Sequence, residues 1–404
     1  MPRRYWVIFW ASSRSLASAR SESFPVTDHV SGVIENPRLL EQLGVPPYQQ
    51  RWPWLGGDLQ TLRDTLRPVS LPPDHGAPLQ ISVPALASGA AEAGQLLAYF
   101  DRPIAPVDGG CSQPRALVVL LHGLGGSSRR EGLRRLGLSL QGAGFAVLRL
   151  NLRGADPGRD LAGGTYAACC NSDLLPVLER ARQLAADLAS EASQSSPIPL
   201  YGAGISLGGT MLLNACLAMP GALDGLFCAS SPLDLALCSA SIERPRNRIY
   251  QRWLLQRLVR QTLADPFGVS ADEEKALGLE PPRTIRAFDA AITAPRWGYR
   301  DVDAYYAGAS PLPRLLDQPM ALPPTMLLQA MDDPWVPAES ARRLQSALVA
   351  SGQDGDLDRV SVLLTHRGGH NGFHSPGDSL RQGCWSDRLA CAWFSRRCAQ
   401  DQGR

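Results

Sequence analysis

Lysine is almost absent from this chain of 404 residues, because Lys275 is the only one and arginine supplies the rest of the basic charge. The formal net charge is only +2, so the chain lacks the strong positive field of a nucleic-acid-binding protein, and no nucleic-acid partner is expected. The pairs Arg129-Arg130 and Arg134-Arg135 are interpreted as a solvated helix face. No apolar run reaches the length of a membrane span, so no integral membrane segment is predicted.

Metal-ligand patterns are also missing. The nine cysteines are an odd set without metal spacing, and we interpret them as small apolar groups in a reducing compartment, which predicts a cytoplasmic protein. His366, His370 and His374 are spaced four apart, but the glycines between them argue against a helix that would present them to zinc. The segment GLGGSS at 123–128 lacks the Gly-Lys-Ser/Thr ending of a phosphate-binding loop. We therefore expect neither a metal nor a cofactor.

The first 45 residues show no sustained periodicity and are predicted to be a poorly structured N-terminal extension. Its start, MPRRYWVIFWASSRSLASAR, loosely imitates a signal peptide, so secretion is the alternative to a cytoplasmic location.

Residues 46–404 are predicted to form one domain in which short apolar strands alternate with helices. Unbroken apolar strands of this kind are typical of a mainly parallel sheet covered by helices on both faces. Two earlier runs, 79–83 and 94–100, are candidates for an antiparallel edge. The predicted central strands are 116–121, 145–152, 198–204, 226–230, 325–330 and 360–364.

The alternation stops between about 233 and 315, where the segment 246–264 has a helical pattern. An insertion between two strands is expected here, either a cap over the site or a set of peripheral helices. Trp253, Leu254 and Leu255 are candidates for lining an acyl pocket, and equally for plain core.

The motif Gly204-Ile205-Ser206-Leu207-Gly208 follows a predicted strand and precedes a predicted helix. That context is typical of a nucleophile elbow, a sharp turn that projects a serine above the sheet. The glycines suit a strained turn in which no space is left for a Cβ atom. Ser206 is therefore the predicted nucleophile, and a glycine-rich packing turn is the alternative.

A serine nucleophile needs a base, and a histidine is the usual one. In this kind of fold the chain order is serine, acid, histidine, which leaves only the three histidines after Ser206. His370 follows the last strand among small residues and is the predicted base. His366 is expected to be structural, and His374 is the alternative base.

The acid that orients the histidine is expected after the strand 325–330, where Asp332 and Asp333 stand side by side. Asp333, directly before Pro334, is the preferred candidate, with Asp332 as the alternative.

An oxyanion hole requires backbone N–H groups. One is predicted from Leu207, the residue after the nucleophile, and one from Leu124, in the glycine-rich loop after the strand 116–121. His122 in that loop is expected to be structural.

Eight segments between residues 46 and 395 carry a family resemblance: GGDLQTL (56–62), LLHGLGGSS (120–128), LNLRG (150–154), SLGG (206–209), SSPLDL (230–235), RIYQRWLLQRL (248–258), TIRAFDAAITAPRWGY (284–299) and DAYY (303–306). Through these segments the chain resembles the YheT-like branch of the α/β-hydrolase superfamily, which is related to the ABHD esterases and lipases. The resemblance implies the α/β-hydrolase fold, action on carboxylic esters, some of them lipids, and a triad at Ser206, Asp333 and His370. Family loops often carry Glu where this chain has Gly125.

These observations predict a serine esterase or lipase-like hydrolase of lipid metabolism that acts on a small-molecule ester, with a lipid or a medium-chain acyl ester as the candidate substrate. Peripheral contact with lipid is compatible with this reading. Two alternatives stay open: an acyltransferase that uses the same triad, and a binding protein that keeps the fold without catalysis.

Overall fold

A computed structural model describes residues 35–104, 113–194, 196–278, 281–352, 357–380 and 382–401. Residues 1–34, most of the predicted N-terminal extension, lie outside the described residues. The rest of that stretch contains the helix Pro37–Leu43, which differs from the expectation of poor structure. Asn36 caps this helix by accepting the N–H of Leu39, and Pro37 occupies its first turn, where a missing N–H costs nothing.

Eight strands form one sheet in the order β1-β2-β4-β3-β5-β6-β7-β8. The pairs β1–β2 and β2–β4 are antiparallel and all the others are parallel, which confirms the predicted fold class and its antiparallel edge. The strands are β1 (Ala77–Val83), β2 (Gly94–Asp101), β3 (Leu117–Leu121), β4 (Ala146–Leu150), β5 (Leu200–Ile205), β6 (Gly225–Ala229), β7 (Thr325–Ala330) and β8 (Val360–Thr365).

Helices cover both faces of the sheet. The helices are α1 (Pro37–Leu43), α2 (Gly57–Leu66), α3 (Glu131–Gly142), α4 (Asn171–Glu191), α5 (Leu207–Ala218), α6 (Leu235–Ile242), α7 (Arg248–Leu263), α8 (Ala271–Gly278), α9 (Ile285–Phe288), α10 (Ala294–Arg296), α11 (Val302–Ala309), α12 (Leu312–Asp317), α13 (Glu339–Ala350) and α14 (Trp385–Asp401).

Strand β3 shows how the core is divided. Leu117, Val119 and Leu121 belong to the apolar cluster that also contains residues of α4, α5 and α13, on one face of the sheet. Val118 and Leu120 point to the other face, where α1, α3 and α14 pack. Side chains alternate between the faces of a strand, so a strand that is apolar throughout supplies two cores.

The chain between β6 and β7 contains seven helices, α6 to α12, and no strand among its described residues. One π-helical turn, Asp289–Thr293, links α9 to α10. The break in alternation that the sequence shows at 233–315 thus corresponds to an all-helical segment.

Arg135 is an exception to the predicted solvated face of α3. Its side chain is buried, and its Nε and Nη1 atoms each lie 2.7 Å from a carboxylate oxygen, of Asp387 and Asp64 respectively. The expectation was wrong at this position because α3 packs between α2 and α14, whose carboxylates converge on the guanidinium.

Candidate active site

Ser206 lies between β5 and α5, at the point where the strand turns directly into the helix. Its backbone has φ 54° and ψ −128°, a conformation that L-residues adopt only under strain. The turn is held by a hydrogen bond from the N–H of Ser206 to the carbonyl of Ala229 at 2.8 Å. The serine therefore has the geometry of a nucleophile elbow at the carboxyl edge of the sheet.

Glycines make the close packing of this turn achievable. A Cβ on Gly208 would lie 2.5 Å from the carbonyl oxygen of Leu121, and one on Gly204 would overlap the backbone of Gly209. A Cβ on Gly123 would lie 2.9 Å from Cβ of Ser206, so the loop after β3 also rests against the serine. Each of these contacts is backbone-to-backbone or nearly so, which is why only glycine fits.

The structure brings Ser206, His370 and Asp333 together. Nε2 of His370 lies 3.0 Å from Oγ of Ser206, and Nδ1 lies 2.9 Å from Oδ2 of Asp333. A carboxylate can only accept, so Nδ1 carries the proton and the lone pair on Nε2 faces the serine hydroxyl. The imidazole also stacks on the indole of Trp335, with 4.5 Å between ring centroids.

Asp333 is fixed by the chain that follows β7. Its side chain is fully buried. Oδ1 accepts the N–H groups of Trp335 and Val336 at 2.8 and 2.9 Å, and Oδ2 accepts Nε2 of Gln329 at 3.3 Å. These donors satisfy a buried charge and aim its remaining acceptor at His370.

Asp332 points elsewhere. Its Oδ1 accepts the N–H of Gly369 at 2.9 Å, and Arg367 is its ion-pair partner at 3.9 Å. Burial raises the pKa of the Asp332 carboxyl. Asp332 thus supports the histidine loop rather than the imidazole itself.

Two residues of α2 that the sequence analysis did not single out hold the loop carrying His370. The hydroxyl of Thr61 accepts the N–H of His370 at 2.8 Å. The side chain of Gln60 spans the other end of the loop, accepting the N–H of His374 at 2.7 Å and donating to its carbonyl at 3.1 Å. The signal was present, because both residues belong to the segment GGDLQTL at 56–62.

Leu124 and Leu207, the predicted oxyanion donors, flank the serine. Leu207 begins α5, where the first N–H groups have no partner within the helix. In the described part of the chain neither of these two N–H groups donates to a protein acceptor. The loop with Leu124 is held by Tyr166, whose hydroxyl accepts the N–H of Gly125 at 2.6 Å.

His122 is a buried, neutral histidine. Its Nε2 accepts the N–H of Leu152 at 3.3 Å, so the proton is on Nδ1, which donates to the carbonyl of Gly123 at 2.9 Å. Burial lowers the pKa of His122 to about 4. Both ring nitrogens are used to hold the loop, in line with the expected structural role.

The other two late histidines do not meet the serine. His366 is exposed. His374 is buried, with Nε2 3.1 Å from Asp64 and Nδ1 3.3 Å from Asp378. Only His370 of the three candidates has a nitrogen within hydrogen-bonding distance of Ser206.

A cavity of about 710 Å³ opens above Ser206. Trp253 and Leu254 line it, and Leu254 also belongs, together with Leu255, to the buried apolar cluster formed by the helical segment. Of the two alternatives for these residues, Trp253 therefore fits cavity lining, Leu255 fits plain core, and Leu254 fits both. Further apolar lining comes from Leu235, Ile242, Leu258, Ile285 and Phe288.

Three features of the described residues concern other classes of site. No group of three or more potential metal-ligating side chains comes together in the ranges that the structure covers. Among the same residues, no helix is both long and apolar enough to cross a bilayer. The eight cysteines in these ranges are free thiols.

A serine at a strand-to-helix elbow, bonded through histidine to an aspartate after a later parallel strand, defines the class of α/β hydrolases. The chain belongs to that family, since the model of the "Alpha/beta hydrolase family" matches residues 118–382.

Similar curated proteins agree with the resemblance drawn from the motifs. The chain is 27% identical over 283 residues to human "Phospholipase ABHD3", covering 68% of this chain and 62% of that protein. It is 32% identical over 205 residues to "Putative esterase YheT" of Escherichia coli (strain K12), covering 49% and 55%. It is 27% identical over 246 residues to "Medium-chain fatty acid ethyl ester synthase/esterase 2" of Saccharomyces cerevisiae, covering 54% and 51%. The matches thus span between about half and three fifths of these relatives, and the YheT-like, ABHD-type resemblance is confirmed.

Proposed function

We propose that this chain is a serine hydrolase that cleaves carboxylic esters through an acyl-enzyme on Ser206. The observation that carries the proposal is the 3.0 Å separation of Ser206 Oγ and His370 Nε2, with Asp333 on the far side of the same ring. This chain of contacts is what a serine hydroxyl needs to become a nucleophile.

The proposed reaction uses this geometry. Nε2 of His370 accepts the hydroxyl proton as Oγ of Ser206 attacks the ester carbonyl, and Asp333 stabilises the imidazolium. The N–H groups of Leu124 and Leu207 bind the oxyanion, each lowering the barrier by about 2.7–4 kcal/mol. The tetrahedral intermediate collapses, and His370 gives its proton to the leaving alcohol. Water, activated by the same imidazole, then hydrolyses the acyl-enzyme and restores Ser206.

The cavity favours an ester with an apolar acyl chain. Its lining from α6, α7 and α9 is mostly aliphatic and aromatic, which suits a medium-chain or lipid acyl group. The helical segment 233–315 supplies this lining and so acts as the cap. Helix α7 carries two exposed apolar side chains, Ile249 (73% exposed) and Trp253 (38% exposed). Their exposure supports the proposal of peripheral contact with lipid.

Acyl transfer to an alcohol is the second candidate. It is favoured by the similarity to a yeast protein whose name includes both synthase and esterase. The same acyl-enzyme would then react with an alcohol in place of water.

A cytoplasmic location also remains our proposal, supported by the free thiols of the described cysteines.

The test uses a fluorophosphonate probe and esters of increasing acyl length on the whole chain and on Ser206→Ala. We expect the probe to label Ser206 alone, and Ser206→Ala to lose both labelling and turnover while retaining its circular dichroism spectrum. If the wild type hydrolysed the esters no faster than Ser206→Ala, or if the folded wild type were not labelled, a non-catalytic binding protein would be favoured. Added ethanol distinguishes transfer from hydrolysis, because transfer yields the ethyl ester.

A further inference from the structure

Two guanidinium groups line the cavity beside the loop that follows β3. Arg257 comes from α7, and Arg130 immediately precedes α3. Across the described ranges, neither has a carboxylate within ion-pair distance. Arg135, a third arginine of the same cavity, is by contrast bound to two carboxylates at 2.7 Å. Two guanidinium groups of the cavity therefore have no carboxylate as a direct partner among the described residues.

Arg257 is fixed in place with donors to spare. One Nη donates to the carbonyl of Gly125 at 2.6 Å, and the guanidinium carbon lies 5.0 Å from the ring centroid of Trp253. Its Nε is buried and has no hydrogen-bond partner. A buried charged donor without an acceptor is unfavourable, and a nearby anion would offset part of this cost through its charge rather than by contact with Nε.

The two cations influence each other. Burial, and then the positive charge of Arg130, lower the pKa of Arg257, and burial lowers the pKa of Arg130. Both groups stay charged, because the pKa of a guanidinium starts far above neutrality. Like charges in one cavity repel, so a shared anion between them is favourable.

Four carboxylates also line the cavity, and each has hydrogen-bond or ion-pair partners other than Arg130 and Arg257. Asp64 and Asp387 bind Arg135, Glu131 accepts the N–H of Val69, and Asp289 accepts the hydroxyls of Thr293 and Tyr306.

We propose that Arg257 and Arg130 form an anion subsite, and that the ester substrate carries a phosphate or carboxylate group. The inference rests on ester hydrolysis at Ser206 and specifies the substrate class. Arg257 holds Gly125, one residue from the Leu124 N–H, so the anion lies close to the scissile carbonyl. Arg130 is exposed, which places the anion at the open end of the cavity, on the alcohol part, while the acyl chain enters the buried apolar end.

The experiment compares phenyl butyrates that differ only in a para substituent: carboxymethyl, phosphonomethyl or the neutral carbamoylmethyl group. The methylene spacer keeps the leaving groups similar. We expect kcat/KM at low salt to be about tenfold or more higher for the better anionic ester than for the neutral one, with the preference reduced by added salt. The carboxymethyl and phosphonomethyl arms show which anion the subsite takes.

Variants assign the preference to the two arginines. Arg130→Gln and Arg257→Gln should each reduce the ratio of anionic to neutral kcat/KM, whereas Arg257→Lys should keep part of it because it retains the charge. Arg129→Gln is the matched control, since Arg129 lies outside the cavity and binds the hydroxyl of Tyr99. If Arg257→Gln does not fold, Arg130→Gln still tests the subsite.

Three results would overturn the subsite. The first is normal turnover of the neutral ester with no anionic preference, which leaves the proposed hydrolase intact. The second is a preference that persists in both glutamine variants. The third is an equal loss on neutral and anionic esters, which would make the arginines positioning residues for the loop. Failure of the wild-type protein on every ester would instead count against the proposed function.

Discussion

Asp332 and Asp333 are neighbours in the chain, yet their carboxylates bind different groups. Oδ2 of Asp333 lies 2.9 Å from Nδ1 of His370, while Oδ1 of Asp332 accepts the N–H of Gly369 at 2.9 Å. One carboxylate orients the imidazole, and the other orients the backbone that carries it. Since the two differ in role but not in chemistry, they form a matched pair for substitution.

We expect Asp333→Asn to lower kcat by about 10⁴-fold, because an amide N–H facing Nδ1 favours the tautomer whose Nε2 cannot accept the serine proton. Asp332→Asn should keep kcat near the wild-type value, since the amide oxygen can still accept from Gly369. Steady-state kinetics with a neutral ester measure both. A greater loss in Asp332→Asn than in Asp333→Asn would reverse the assignment.

The close packing of the turn at Ser206 leads to a prediction about stability. Gly208→Ala would place a Cβ 2.5 Å from the carbonyl oxygen of Leu121 and 2.7 Å from that of His122. Neither backbone group can move without shifting the sheet, so the free energy of unfolding should fall by about 1–3 kcal/mol or more.

Gly132→Ala is the control, because its Cβ would meet nothing within 4 Å and it lies within α3. It should raise the free energy of unfolding by about 0.5–1 kcal/mol. Urea unfolding followed by circular dichroism compares the two. Equal effects from both substitutions would mean that the elbow is not sterically tight.

The sheet could be predicted from the sequence because its strands are apolar on both faces. Runs such as 116–121 and 325–330 have no other stable place than between two helical layers. The candidate triad could also be predicted from the sequence, because chain order and the positions of the strand ends restrict the choice of acid and base. No feature of the local sequence, however, indicates whether Asp332 or Asp333 contacts the histidine, and only the observed geometry distinguishes the two.

Long-range polar contacts were not accessible in this way. The hydrogen bonds of Thr61 and Gln60 to the histidine loop join positions more than 300 residues apart. Arg135 has the sequence context of a surface arginine, and its burial depends on where α2 and α14 place their carboxylates. Such contacts follow from the tertiary arrangement, which periodicity does not encode.

His122 makes stability depend on pH. Burial lowers its pKa to about 4 from an ordinary value of 6.5, so between these values the unfolded chain binds a proton there that the folded protein does not. The contribution of this group to stability is therefore complete above pH 6.5 and is lost as the pH falls towards 4, by up to about 3 kcal/mol.

The substitution His122→Gln removes this titration but keeps a hydrogen-bond donor and an acceptor at the position. We expect the free energy of unfolding to fall less steeply between pH 7 and 4.5 in this variant than in the wild type. Because all other groups are common to both proteins, the difference between the two curves isolates His122, and parallel curves would contradict a neutral, buried imidazole at this position.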